Sequence, residues 1–131
     1  MKIDVKLDNG LIPDIYAKYA PDNYRTNDMP TVNFPIEVTN IPENLHGSHY
    51  GTSGTNSTWH DVQKSGKPAD SNINQSYIGP MPPDKTHNYT LTVFALDTKL
   101  DLQNGFFLNE LRSKSMTHVL DIAILELPAR A

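Results

Sequence analysis

The residues best placed to do chemistry lie in the run Gly79-Pro80-Met81-Pro82-Pro83-Asp84-Lys85-Thr86-His87-Asn88-Tyr89. Proline fixes φ and stiffens a loop, so this run delivers His87 to one place, the first position of the strand that follows. A histidine beside a tyrosine offers two hydrogen-bond donors around a small site, and such donors suit a phosphate or a carboxylate. Lys85 adds positive charge nearby. A lone histidine can instead cap its strand by bonding a loop carbonyl, and spacing by itself favours that simpler role. A second set, His46, His49 and His60 with Asp61, carries ligand types that suit zinc and comparable ions. Its spacing is not helical and it falls in a polar stretch without a scaffold, so these read as surface residues. Trp59, in the same stretch, reads as a core anchor more readily than as the rim of a pocket.

Other chemistries lack their residues. There is no phosphate loop of the P-loop type, no dinucleotide fingerprint and no His-Glu-x-x-His, and Gly51-Thr52-Ser53-Gly54 lacks the spacing of a nucleophile elbow. A hydrolase using His87 as general base would need a nucleophile at a recognisable spacing, and the nearest acid is Asp84. With 15 acidic and 11 basic residues the formal charge is −4, and no cluster of Lys or Arg gives a footprint for nucleic acid or an anionic membrane surface. The absence of cysteine removes a disulfide scaffold, a thiolate zinc site and a cysteine nucleophile, and fits a reducing compartment. No stretch approaches the roughly 20 apolar residues of a membrane span, and Met1-Lys2-Ile3-Asp4-Val5 lacks the apolar core of a secretory signal. A cytoplasmic protein without integral membrane association is expected. The Asn-x-Ser/Thr triplets at Asn56, Asn74 and Asn88 are then accidents of composition.

The elements that must position His87 are legible to different degrees. A chain of 131 residues allows one domain, 1–131. Hydrophobic residues make up 37% and the mean hydropathy is −0.49, which points to a thin core and long loops. Ile3, Val5 and Leu7 alternate as a short half-buried strand does, and Asn9-Gly10 reads as a turn. Prolines 13, 21, 30 and 35 exclude a long helix, while Val32, Phe34, Ile36 and Val38 at period two predict a strand up to Asn40. Pro35 places that strand at an edge or a bulge. No period survives from Glu43 to Asp84. Tyr89 to Leu96 is apolar or β-branched on both faces and reads as a central strand. Roughly Phe107 to Ser115 has helical spacing and should pack on the sheet, and Val119 to Leu127 reads as a last strand closed by Pro128. The sum is a mainly β (α+β) domain, antiparallel or mixed, with a helix on its surface.

The run Gly79-Pro80-Met81-Pro82-Pro83, followed by Thr86-His87-Asn88-Tyr89 and Thr92-Val93-Phe94-Ala95-Leu96-Asp97, resembles the phosphatidylethanolamine-binding protein family in its bacterial Raf-kinase-inhibitor-like branch. Asn9-Gly10-Leu11-Ile12-Pro13 with Met29-Pro30 resembles the family's opening, and His118-Val119-Leu120 its closing. The resemblance implies a Greek-key-type β-sandwich with short peripheral helices and a small pocket for a phosphate-bearing headgroup. His87 and Tyr89 match the family's pocket motif residue by residue, and Pro82 and Pro83 match its loop wall. The other two pocket elements, an Asp-x-Asp-x-Pro loop and a His-Trp pair, are absent, and Trp59-His60 has the wrong order to replace the latter. The chain therefore resembles a member shortened internally by several dozen residues, lacking central strands.

The implied function is a noncatalytic module holding a small anion or phosphorylated headgroup at His87, Tyr89, Pro82 and Pro83, with no cofactor. The alternative is a protein-interaction or inhibitor module that uses Glu43 to Tyr77 as its contact surface. Loss of central strands exposes ladder edges, so the chain is expected to form a homodimer or higher oligomer with strands paired across copies.

Overall fold

The computed structural model describes residues 1–45, 51–66 and 70–131. The longest feature is a ribbon of β5 (His87–Leu96) and β6 (Val119–Ala129), antiparallel from His87 opposite Ala129 to Leu96 opposite Val119, with a bulge between Ala95 and Leu96. The two-residue period of a strand sends Tyr89, Leu91, Val93 and Ala95 to one face, and Ala95 is 1% exposed. The other face turns Phe94 and Ile124 to solvent, at 42% and 64% exposed. Among the described residues β5 is paired along one edge only, so it is not the central strand that its two apolar faces predict.

The remaining strands are short. β1 (Lys2–Asp4) pairs antiparallel with β4 (Glu37–Thr39), and β2 (Arg25–Thr26) with β3 (Met29–Pro30). The turn at Asn9-Gly10 is present, with both residues at positive φ and Asp8 and Leu11 exchanging backbone hydrogen bonds at 2.8 and 2.9 Å. The strand expected from Val32 onward shrinks to Glu37–Thr39. Period-two alternation survives through Phe34 and Ile36, but Pro35 has no N–H to give to a ladder and the segment before β4 runs unpaired. Val5, Ile12, Ala17, Phe34, Leu127 and Ala129 form the core, where the inner face of the ribbon meets the N-terminal loops.

Two helices occupy the stretch in which no period was found: α1 (Thr58–Ser65) and α2 (Ser71–Asn74). Asn56 holds them together. Its Oδ1 accepts from the Thr58 N–H at 3.1 Å and from the Thr58 hydroxyl at 2.6 Å, while its Nδ2 donates to the carbonyls of Ile73 and Ser76 at 2.5 and 2.8 Å. α1 ends at Gly66, whose φ of 65° is the left-handed cap that glycine adopts without penalty. α3 (Leu108–Ser115) forms where expected, but it buries Ser115 alone and leaves Leu108 exposed, so it does not lay an apolar face on the sheet. β6 runs through Pro128 instead of stopping before it, and the Pro128 carbonyl accepts from the Ile12 N–H at 2.8 Å.

Candidate functional site

The proline-rich loop begins at a glycine for a steric reason. Gly79 donates its N–H to the Pro30 carbonyl at 2.8 Å, and a Cβ on it would stand 2.3 Å from the Tyr16 carbonyl oxygen. Only a residue without a side chain allows that approach. Pro82 is fully buried, and its carbonyl accepts from Lys18 Nζ at 3.2 Å, which pins the loop from below. Pro83 and Lys85 lie in solvent. The loop is therefore fixed at Gly79 and Pro82 and bends at Pro83-Asp84-Lys85.

His87 opens β5, as its place in the sequence predicts, and its Nε2 lies 2.8 Å from Asp84 Oδ1. The hydrogen bond from His87, and next the Lys85 backbone N–H, hold the Asp84 carboxyl below its ordinary value. An ionised carboxylate can only accept, so Nε2 carries the proton and donates it to Asp84. The ring thus bonds a loop carboxylate, not the loop carbonyl that a simple strand cap would use. His87 Nδ1 has no hydrogen-bond partner among the described residues. Both side chains are largely in water, so the pair fixes orientation more than it adds stability.

Tyr89 lies two residues on, on the same face of β5, in the wall of a cleft of about 220 Å³. Ile12, Phe34, Ile36, Tyr77 and Leu91 line it, and its surface is mostly apolar. His87, Pro82 and Pro83 are not among its walls. The sequence-predicted residues thus divide, with His87 held by Asp84 on the rim of the loop and Tyr89 turned to an aromatic groove. Tyr77 stands edge-on to Phe34 at 5.8 Å, and Phe34 edge-on to Tyr16 at 6.5 Å, which keeps that groove rigid. The Tyr77 hydroxyl donates to the Tyr16 carbonyl at 3.3 Å. Burial, followed by the neighbouring Tyr89, pushes its phenol above the ordinary range and keeps it a donor.

Asp84, Lys18, Phe34 and Tyr77 are the site residues that sequence reasoning missed in these roles. Asp84 was visible only as the acid nearest His87; the cleft is assembled from segments far apart in the chain, and no local spacing encodes it. His60 and Asp61 are exposed, His46 and His49 lie outside the described residues, and no metal-binding group forms among the described residues. Trp59 is half-buried on α1, edge-on to Phe107 at 5.2 Å, outside the core cluster and the cleft. It does not anchor the core.

Comparison with known proteins identifies the scaffold. The family model for phosphatidylethanolamine-binding protein matches residues 14–128. YxkA of Bacillus subtilis strain 168, an uncharacterized protein, is 31% identical over 160 aligned positions that take in 93% of this chain and 95% of YxkA. That alignment is longer than the chain's 131 residues, so YxkA carries positions with no counterpart here. The crystal structure of CT736 of Chlamydia trachomatis, described as a homologue of phosphatidylethanolamine-binding protein, superposes with a TM-score of 0.71 over 99% of this chain and 97% of that one, at 14% identity. Among the described residues no helix is long and apolar enough to cross a membrane. With the motif at residues 79–89 in place and the family model spanning most of its length, this chain belongs to the phosphatidylethanolamine-binding protein family.

Proposed function

We propose that this chain is a noncatalytic binding module that holds a small phosphate-type anion, free or as a phosphorylated headgroup, at His87 on the rim of the proline-rich loop, with exposed Pro83 beside it, Tyr89 in the adjoining cleft and buried Pro82 holding the loop in place. The observation that carries the reading is the fixed ring: a loop anchored at Gly79 and Pro82 delivers His87, and Asp84 takes its Nε2 proton. Nδ1 is then the ring atom left to face a ligand. Family membership supports a binding module of this type.

In this reading the chain is a shortened Greek-key-type β-sandwich that lacks central strands. The single-sided pairing of β5 and the surplus length of YxkA support that. Asp84 orients His87 as an acid–base dyad would, but among the described residues no hydroxyl or amine hydrogen-bonds the ring to serve as nucleophile, which favours binding over turnover. A cytoplasmic location accompanies the proposal, supported by the absence of cysteine.

The test is thermal unfolding followed by circular dichroism, with and without millimolar phosphate or phosphoethanolamine. A ligand that binds only the native state raises the midpoint by mass action, so an upward shift that His87→Ala abolishes is expected. The cleft favours a second reading, because its lining holds no Lys, Arg or His. In that reading the pocket is vestigial and the segment from Glu43 to Tyr77 captures a protein. No shift with either anion, together with partner capture that His87→Ala leaves intact, would decide for it.

A further inference from the structure

The cleft beside Tyr89 has an unusual border. Tyr89, Thr90 and Leu91 all line it, although successive strand residues point to opposite faces. Leu127 of β6, the ladder partner of Tyr89, lines it too, so the cleft lies against the inner face of the ribbon and reaches across β5 at Thr90. The opposite wall is the extended, unladdered segment around Asn33, Phe34 and Ile36. Every ladder partner of β5 lies in β6, and among the described residues no backbone hydrogen bond leaves the other edge of β5.

That edge also lacks the usual protections. Natural edge strands are kept apart by charges, prolines, bulges or shortness. β5 is 10 residues long, contains no Asp, Glu, Lys, Arg or Pro, and its one irregularity falls at its end, between Ala95 and Leu96. We propose that the open edge of β5 pairs antiparallel with the same edge of a second copy of this chain, and that the cleft receives inward side chains of that copy.

The second copy fits because an isologous contact requires a segment complementary to itself. β5 alternates Tyr89, Leu91 and Val93 toward the core side with Thr90 and Thr92 toward solvent. A second β5, laid antiparallel with Leu91 opposite Leu91, sets apolar residues over the cleft and threonines against threonines, a favourable cross-strand arrangement. Each chain carries a formal charge of −4, yet β5 itself holds no Asp, Glu, Lys or Arg; the carboxylate beside it, Glu126 of β6, accepts from the Thr90 hydroxyl at 2.7 Å. Main-chain bonds then supply the affinity of strand addition and the cleft its register. The proposal is independent of any ligand at His87.

Two measurements test it on the full chain. Light scattering at micromolar concentration should give twice the monomer mass of 14.7 kDa. Hydrogen exchange along β5 should slow as protein concentration rises, a readout that needs no variant. In Thr90→Lys/Thr92→Lys, whose added side chains point away from the core, like charges meet across the seam, and the dimer should weaken by roughly tenfold or more. A wild-type monomer overturns the proposal, as it would if the edge serves a foreign peptide instead. A dimer whose mass and β5 exchange are indifferent to concentration and to the two lysines also overturns it.

Discussion

At the scale of single residues, the informative pair is His87 and Asp84. Because Asp84 is ionised and accepts the Nε2 proton, Nδ1 is the ring atom left to face a ligand. Calorimetric titration with sulfate should show binding in the wild type and an affinity lower by roughly tenfold or more in His87→Gln. An affinity that His87→Gln leaves unchanged would mean that the ring does not hold the anion. The histidine and its loop were legible because the motif places them in a fixed order along the chain. The role of Asp84 was not, since a hydrogen bond across a three-residue turn leaves no periodic trace.

At the scale of elements, the same contrast separates the ribbon from the helices. β5 and β6 were legible because long period-two stretches of apolar and β-branched residues admit little else. The pattern also overreached, since Val32 to Asn40 has the alternation of a strand but Pro35 breaks the ladder it would need. α1 and α2 were illegible because side-chain bonds from Asn56 to distant backbone groups organise them, not an apolar face. Asn56→Ala should leave the Ser76 carbonyl and the Thr58 N–H unpaired in a half-buried place, and the Ile73 carbonyl with only the long bond from the Ser76 N–H. The expected cost is about 1–3 kcal/mol in urea denaturation, and no loss would mean that solvent replaces all four side-chain bonds of Asn56. The loop that carries His87 depends on Gly79 in a different way. In Gly79→Ala the new methyl collides with the Tyr16 carbonyl, which must move with its backbone. A loss of about 1–3 kcal/mol follows from such overpacking, and retention of full stability would show that the contact relaxes freely.

At the scale of the whole molecule, the response to acid rests on a clasp between segments that are distant in sequence. Arg130, just after β6, donates from Nε and a terminal nitrogen to the two oxygens of Asp14 at 2.8 and 2.7 Å, and lies over the Tyr19 ring at 3.9 Å. The hydrogen bond from Arg130 is the main reason that the Asp14 carboxyl titrates below its ordinary 3.8; burial opposes it, and the charge of Arg130 adds to the lowering. A carboxyl depressed in the folded state adds stability that is complete above the unfolded value and lost as pH falls through the folded one. Both partners are 46% exposed, so solvent and salt screen the effect. Urea midpoints of wild type and Arg130→Gln should accordingly differ by a constant amount above about pH 4 and converge as pH falls below 3.8. Convergence should be incomplete, because the stacking of Arg130 on Tyr19 is a cation–π contact that survives protonation of Asp14. Tyr19→Leu removes that contact, and in its background the difference between Arg and Gln at position 130 should vanish at low pH. A difference independent of pH in both backgrounds would show that the ion pair, despite its bidentate geometry, contributes nothing to holding the loop against the ribbon.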